Sequence, residues 1–324
     1  MHKDIFFDSS LTFELNVIGY KTKGECVLAV LKADGKAAFV GLIDCYRDAE
    51  GNEAIRILHD AGRKHFDFVC WTHPHDDHSI GMDEVVQNYC DHDTFFWMPW
   101  MGTKDTSPFS REARATYQSL FDVIELKKKA KMHVNTVSNG MRLESFLCRK
   151  NDGFSKYRFS IFSFAPSGEL LTANLVNNVK TVGNLFSVGL NISIGEFNVM
   201  LAGDVENRTF AIIPDFDIVA PIDYIKIPHH ASSSGVGLVE KLKNLDIDAP
   251  SIASTTVFRT HSLPDPSVLS VYKRWSPQMQ VYSSGSIDGN KDDLRYGIVQ
   301  TRFDILQKEE VAIETELFGN AVQV

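Results

Sequence analysis

The stretch FDFVCWTHPHDDHSIG, residues 66–81, decides the fold that this chain is expected to adopt. It begins with FDFVC, an apolar run typical of a buried strand, and then places three histidines and two aspartates within six positions, His73 to His78. Burying five such polar groups together without a partner is costly in free energy. The cluster at the end of a strand therefore indicates a site at which metal ions supply that partner.

Other strand-like segments end in the same kind of residue. AAFVGLID ends at Asp44, FNVMLAG is followed by Asp204, and DYIKIP is followed by His229 and His230. The carboxyl ends of aligned strands lie at one edge of a sheet. We therefore expect these side chains to meet the histidine cluster in one cleft.

The spacing within the cluster fits two ions. His73 and His75 can point the same way from an extended turn and bind one ion, while Asp77 and His78, further round the turn, can bind a second. Asp204 has two carboxylate oxygens that could bridge the pair. In such dinuclear sites the ions lie about 3.5–4 Å apart and form a hydroxide near neutral pH.

Composition limits the remaining choices. The 324 residues, 44% of them hydrophobic, can form one large domain or a pseudo-symmetric pair. No apolar run reaches the ~18–20 residues of a membrane span, and residues 1–10 lack the apolar centre of a signal peptide, so we expect no membrane partner and no export. The scattered cysteines suggest buried hydrophobes in a reducing cytoplasm and no disulfide framework. They are Cys26, Cys45, Cys70, Cys90 and Cys148.

The order of segments predicts a layered α/β sandwich, because strand-like and helix-like stretches alternate without a repeat. Helices are predicted at about 52–64, 82–89 and 108–132. Strands are predicted at 11–19, 25–33, 36–45, 65–72, 157–166, 184–193, 197–203, 224–230, 250–254 and 279–284.

Charge is unevenly distributed. Residues 125–150 contain seven Lys or Arg and two acidic residues, a local charge of +5 in a chain of net charge -9. This segment could steer a polyanion to one edge of the molecule. The alternative is a solvated helix face, which is the usual explanation of a charge run.

The motif THPHDDH, residues 72–78, resembles the HxHxDH signature of the metallo-β-lactamase superfamily. The resemblance continues in order through LNVIG, LIDCY, NLFSVGLNIS, LAGD, IKIPHHASSSG and STTVFRTHSLP, and covers roughly residues 11–285. This order is similar to the branch that contains the metallo-hydrolase domain of competence-type DNA-uptake channels.

The resemblance implies an αββα four-layer sandwich in which metal-activated water attacks a phosphodiester or another ester. It implies a single domain over residues 1–324, with a helical insertion at about 101–150 and a C-terminal extension at about 286–324. Two divalent ions are expected. The imidazole-rich ligand set favours zinc, with manganese as the alternative.

The resemblance also assigns roles. His229 would complete the second metal site, whereas His230 would lie near the substrate or behind the metal ligands, and Asp44 would hydrogen-bond the histidine turn from beneath. Asp77 would orient or deprotonate the attacking water besides binding metal. His230 or His261 would stabilise the developing oxyanion or protonate the leaving group.

The chain departs from the family pattern at two points. Many relatives have a further ligand histidine before the bridging aspartate, and here His92 and His133 are poorly placed for that role. Water or a side-chain amide such as that of Asn184 could take the position. Ala231 stands where the branch usually has glycine, so the loop after the two histidines is expected to differ in shape.

Three functions remain open from the sequence. The first is a phosphodiesterase or nuclease acting on nucleic acid. The second is a hydrolase of small esters or thioesters. The third is a metal-binding partner protein with vestigial activity, whose helix at 108–132 contacts another protein. Individual residues also have simpler explanations, since Asp204 could be a turn residue, His229 and His230 a surface pair, and His261 a capping or packing residue.

Overall fold

The computed structural model describes residues 3–99, 111–177, 183–289, 292–306 and 312–324. The strands are β1 (Ile5–Phe7), β2 (Leu11–Tyr20), β3 (Glu25–Ala33), β4 (Lys36–Ile43), β5 (Phe68–Cys70), β6 (Phe95–Pro99), β7 (His133–Val137), β8 (Met141–Lys150), β9 (Lys156–Ala165), β10 (Gly189–Ile194), β11 (Phe197–Leu201), β12 (Tyr224–Lys226), β13 (Ile252–Thr255), β14 (Gln280–Ser283), β15 (Tyr296–Asp304), β16 (Ala312–Gly319) and β17 (Val322–Gln323). The helices are α1 (Glu53–Asp60), α2 (Asp76–Ser79), α3 (Met82–Tyr89), α4 (Arg111–Lys129), α5 (Gly168–Asn177), α6 (Asn207–Ile212), α7 (Gly237–Asn244) and α8 (Pro266–Trp275).

These strands form two sheets. The first sheet has the order β16-β15-β2-β3-β4-β5-β6-β7, and the second has the order β1-β8-β9-β10-β11-β12-β13-β14-β17. In the first sheet β4, β5, β6 and β7 are parallel neighbours, and in the second sheet β11, β12, β13 and β14 are parallel neighbours. Each sheet therefore has one run of strands whose carboxyl ends share an edge.

The two sheets pack face to face over a continuous apolar core. Leu15 and Val17 of β2 point into this core together with Ile192 of β10. Alternate residues of a strand face opposite sides of the sheet. The same strand β2 accordingly sends Ile18 and Tyr20 to its other face.

Helices cover the two outer faces. On the first sheet, Leu58 of α1, Val86 of α3 and Leu120 of α4 belong to one buried cluster with residues of β2 and β3. On the second sheet, α6, α7 and α8 contribute to another, for example through Leu238 and Leu269. The αββα four-layer sandwich predicted from the sequence is confirmed.

The predicted helices are close to the observed ones. Helix α3 has the predicted bounds, Met82–Tyr89. Helix α1 is shorter than predicted, because the Asn52 side chain caps its start by accepting from the Ala54 amide and the chain turns at Gly62, where φ is +73°. Helix α4 spans Arg111–Lys129, and residues 108–110 of the prediction lie outside the described residues.

Strand β10 begins at Gly189, later than predicted, because residues 184–186 form a 3-10 turn. Strands β7 and β8, within residues 133–150, were not expected. The predicted insertion at 101–150 thus contains α4 and these two strands, while 101–110 lie outside the described residues. In the predicted C-terminal extension, β15 pairs with β2 along its whole length.

All five cysteines are buried and free, as expected from their positions in apolar segments. In the described ranges, no helix combines the length and the apolar character that crossing a membrane requires.

Candidate metal centre

The expected meeting of strand ends is observed. Asp44 follows β4, His73 follows β5, Asp204 follows β11, and His230 follows β12. The ends of β4 and β5 belong to the first sheet, and those of β11 and β12 to the second. The site therefore lies where the carboxyl edges of both parallel runs come together.

The histidine turn is shaped by its local sequence. His75 has an extended backbone (φ -84°, ψ 154°) and precedes α2, which carries Asp77 and His78. Gly81, with φ +95°, then turns the chain into α3. This path brings the ring of His73 within 4.6 Å of His75 and 4.3 Å of His78, measured between ring centroids.

Asp204 is positioned by a tight turn. The preceding residue, Gly203, has φ +52°, and a Cβ there would lie 2.9 Å from the Val188 carbonyl oxygen, so only glycine fits without a shift. The Asp204 amide donates to Ser187 Oγ at 2.9 Å. The carboxylate is thereby fixed at the base of the site with 1% exposure.

The site contains two sets of potential metal ligands that share one residue. In each set, one potential ligand atom per residue lies within 4.8 Å of all the others. The first set is His73, His75 and Asp204. The second set is Asp77, His78, Asp204 and His230.

Asp204 lies at the centre of the imidazoles. Its Oδ2 is 3.4 Å from His78 Nε2, 3.6 Å from His73 Nε2, 3.7 Å from His229 Nε2 and 3.8 Å from His230 Nε2. Its second oxygen, Oδ1, is buried without a hydrogen-bond partner among the described residues. Burying a carboxylate oxygen without a hydrogen-bond partner costs free energy, and a bound cation would remove that cost.

Hydrogen bonds behind the ligands fix which ring nitrogen faces the site. Asp44 accepts from the Thr72 amide, from Thr72 Oγ1 and from His78 Nδ1, each at 2.7 Å. Since the Thr72 hydroxyl proton is donated to Asp44, its oxygen accepts from His73 Nδ1 at 2.9 Å. Both histidines therefore present Nε2 to the site, and the predicted position of Asp44 beneath the turn is observed.

Burial and mutual electrostatics set the protonation states. Burial, together with the neighbouring His78 and His75, holds the pKa of His73 well below its ordinary value. Burial opposes ionisation of Asp204, but His78, His230 and His229 outweigh it and hold the pKa of Asp204 well below its ordinary value. A neutral His73 beside an ionised Asp204 is the form in which both bind metal. Burial opposes protonation of His78, but Asp204, Asp77 and Asp44 outweigh it and hold the pKa of His78 well above its ordinary value, so an ion bound there would displace a proton.

His229 and His230 lie at different depths in the site, although both approach Asp204 Oδ2 to within 3.8 Å. His230 is buried and its Nε2 lies 2.9 Å from Asp77 Oδ2, within the second ligand set. The His229 side chain is 21% exposed, and its Nδ1 contacts Ser234 Oγ at 2.6 Å. The reason is the backbone, since His229 and His230 both have left-handed φ, near +50°, which turns the second ring inward.

The other predicted residues lie further out. His261 is exposed, and its ring packs edge-on against Phe258, whose ring in turn contacts His230. His92 is in an exposed acidic group, and His133 stacks on a phenylalanine of the neighbouring strand. Neither supplies the ligand that many relatives have.

Asn184 is better placed than those two histidines. It is 9% exposed, and its Nδ2 donates to Glu206 Oε1 at 3.1 Å and lies 3.2 Å from His229 Nε2. With the amide nitrogen oriented toward Glu206, its Oδ1 is buried and unpaired among the described residues. The arrangement leaves a carbonyl-type oxygen without a partner in the described part of the chain, on a side chain that contacts His229.

Sequence reasoning missed three buried residues behind His230, namely Glu25, Thr256 and Lys226. A lysine inside the apolar strand YIKI, directly before two histidines, was the available signal. Its partner could not be read from the sequence, because Glu25 lies at the start of a strand in the other sheet.

The chain matches no protein-family model and no curated protein. Solved structures give partial likenesses. A mutant of the β-hydroxylase CmlA has 15% identity and a TM-score of 0.38, covering 75% of this chain and 45% of that one. Zn²⁺-bound PqqB from Methylobacterium extorquens has 11% identity and a TM-score of 0.33, covering 61% of this chain and 58% of that one.

Unliganded yeast PDE1 has 11% identity and a TM-score of 0.41, covering 86% of this chain and 98% of that one. The chain thus spans about half the length of the first two structures. The two sheets, their order and the ligand sets at their shared edge stand independently of these likenesses. The fold is a four-layer αββα sandwich.

Proposed function

We propose that this chain is a hydrolase that uses two divalent metal ions. The observation that carries the proposal is Asp204, a buried carboxylate common to two ligand sets. His73 and His75 would hold the first ion, and Asp77, His78 and His230 the second, with the carboxylate between them. His230 thus takes the place first assigned to His229.

The donor atoms fit zinc. Four imidazoles and two carboxylates converge, with His73 Nε2 and Asp204 Oδ1 buried and unpaired among the described residues. Imidazole suits zinc, whereas a site for manganese would be expected to be richer in oxygen ligands. We therefore propose zinc, with manganese as the alternative to be measured.

When bound, such ions lower the pKa of water and polarise an ester oxygen. The protein's own part rests on Asp77, whose Oδ2 lies 2.9 Å from His230 Nε2 and 3.2 Å from His78 Nε2. Burial opposes its ionisation, but His78 and His230 outweigh burial and hold the pKa of Asp77 well below its ordinary value. An ionised Asp77 can orient the attacking water by accepting its hydrogen bond.

Protonation of the leaving group needs a residue at the mouth of the site. His229 is partly exposed and lies between Asn184 and Ser234, so it is placed to meet a substrate. His261 remains a second candidate, since it reaches His230 through Phe258.

For the substrate we propose a phosphodiester, as the resemblance implies, with nucleic acid as the case to be tested first. The basic run gives this case little support. The metal centre lies where the parallel strands end, whereas β7 begins at the opposite end of the sheet. Helix α4 ends four residues before β7, so Lys127–Lys131 lie at that opposite end. Lys127 also donates to the Cys90 carbonyl oxygen at 2.6 Å.

A vestigial partner protein has less support. Leu120, Val123 and Ile124 of α4 are buried against the first sheet, so the apolar face that would contact a partner is already used. The free, buried cysteines accord with a reducing compartment, and we propose the cytoplasm.

The test combines metal analysis with turnover. Purified protein should contain about two zinc ions per chain and hydrolyse bis(p-nitrophenyl) phosphate, and chelation should abolish both. Asp77→Asn should be inactive, whereas Asp93→Asn, in the exposed acidic group, should behave like wild type. Full turnover by the metal-free protein would refute the proposal. Comparison of single-stranded DNA with p-nitrophenyl acetate as substrates separates a nuclease from a carboxylic-ester hydrolase.

A further inference from the structure

A buried ion pair lies directly behind His230. Lys226, at the end of β12, is 1% exposed, and Glu25, at the start of β3, is 2% exposed. Lys226 Nζ lies 2.5 Å from Glu25 Oε1. The pair joins the second sheet to the first. Burying two charges in this way carries a desolvation cost that apolar side chains would avoid, so stability alone is a weak reason for it.

Hydrogen bonds connect this pair to the metal centre. Thr256 Oγ1 donates to Glu25 Oε2, and His230 Nδ1 lies 2.8 Å from the same Thr256 oxygen. On the other side of the ring, His230 Nε2 lies 2.9 Å from Asp77 Oδ2. All of these residues are at least 97% buried.

The direction of each hydrogen bond follows from proton counting. An ionised carboxylate can only accept, so the single Thr256 hydroxyl proton is used on Glu25. The Thr256 oxygen must then accept from His230, which puts the imidazole proton on Nδ1. With Nδ1 protonated, Nε2 is the atom that faces Asp77 and Asp204: it offers its lone pair to an ion when one is bound and donates to the ionised Asp77 carboxylate when none is.

The backbone adds a second reason for such support. His229, His230 and Ala231 are three consecutive residues with left-handed φ, between +50° and +58°. Each is unfavourable for a residue with a Cβ, and strained conformations of this kind persist where surrounding contacts over-determine them. Hydrogen bonds at both ring nitrogens of His230 hold the central one of these three residues in its strained conformation.

We propose that Thr256 and Glu25 are positioning residues that fix the tautomer and orientation of His230, with Lys226 balancing the charge of Glu25. They make His230, and not His229, the imidazole of the second ligand set. The proposal rests on the proposed metal centre, and it concerns neither substrate nor chemistry directly.

The decisive variant is Thr256→Val, which keeps the shape and removes the hydroxyl. Zinc affinity, measured by competition with a chromophoric chelator, is expected to fall about 10–100-fold for one ion and to stay near wild type for the other. Thr256→Ser should restore the wild-type value. Thr255→Val is the matched control, because Thr255 is equally buried and its hydroxyl has no hydrogen-bond partner among the described residues.

A second measurement keeps the proposal separate from the metal centre. In ¹⁵N-histidine NMR of metal-free protein, His230 should show a slowly exchanging proton on Nδ1 that is absent in Thr256→Val. If that variant does not fold, Thr256→Ala replaces it. Wild-type zinc affinity in the folded hydroxyl-free variant, or an unprotonated Nδ1 in wild type, overturns the proposal. Failure of wild type to bind zinc while Nδ1 carries its proton refutes the metal centre and leaves the positioning role supported.

Discussion

Replacing Asp204 with asparagine is expected to weaken both metal sites at once. Asn is nearly isosteric, so it removes the negative charge and one acceptor while preserving the packing around Gly203. The Asp204 carboxylate lies 3.4 Å from His78 Nε2 and 3.6 Å from His73 Nε2, and these two atoms belong to different ligand sets. A substitution at Asp204 is therefore expected to affect both ligand sets.

The magnitude can be bounded from below. Loss of a partner that only supports a ligand typically lowers metal affinity 10–100-fold. A carboxylate that itself belongs to the ligand set should cost at least the upper end of that range. This corresponds to about 100-fold, or about 2.7 kcal/mol, for each ion. By contrast, Asp77→Asn should weaken one ion strongly and the other little, because Asp77 belongs to the second ligand set only.

The assay is elemental analysis after gel filtration, followed by chelator competition to obtain both affinities. Asp93→Asn serves as the control for loss of an acidic residue, since Asp93 belongs to an exposed group with Asp91 and His92. Two ions bound to Asp204→Asn with wild-type affinity would remove this residue from the site. A loss confined to one ion would show that the two ligand sets do not share it.

Three further outcomes are expected. In Asp44→Asn, the new amide N–H must face one of the three groups that donate to Asp44 in wild type. Urea unfolding of the metal-free protein should therefore show an unfolding free energy lower by about 1.5–3 kcal/mol. Unchanged stability would contradict the hydrogen-bond assignment. The backbone amides of Ser9, Asp8 and Ser10 hold the pKa of Asp34 well below its ordinary value. The ionised Asp34 carboxylate therefore stabilises the fold above about pH 4, and this stabilisation is lost as the pH falls toward the pKa of the folded state. The difference in unfolding free energy between wild type and Asp34→Asn should accordingly shrink on acidification. Reversing Lys128 and Lys129 to Glu should leave binding of single-stranded DNA unchanged, and a fall of about 0.7 in the salt slope for each lost contact would show that the run does bind phosphate.

The sequence predicted the layers and most of the cluster, because both follow from local patterns. The apolar run before His73 and the bounds of α3 depend on neighbouring residues only. Strand β8 was missed for the opposite reason. Its burial alternates, with Phe146 and Cys148 inward, but the charged residues on either side of them, from Arg142 to Lys150, gave the segment an irregular appearance.

Choices that depend on backbone direction or on distant partners could not be predicted. His229 and His230 are adjacent and chemically identical, and the left-handed backbone that carries them, together with the different contacts of each ring, decides which ring enters the site. The pairing of Glu25 with Lys226 joins two sheets across most of the chain, and neither residue specifies the other. Spacing along the chain therefore identified the types of residue that meet at the site. Which particular residues meet there depends on the three-dimensional path of the backbone.

Three of the four histidines in the two sets share one structural feature. Asp44 accepts from Nδ1 of His78, Thr72 accepts from Nδ1 of His73, and Thr256 accepts from Nδ1 of His230. Each acceptor is buried at the end of a strand or beside it, so the proton on Nδ1 is held by the sheets and Nε2 is left to face the cavity. Since both threonines donate their own proton to a carboxylate, none of the three rings can move its Nδ1 proton to Nε2 without placing the bare Nδ1 against a buried acceptor oxygen. The centre is thus organised for cations by groups that never contact them.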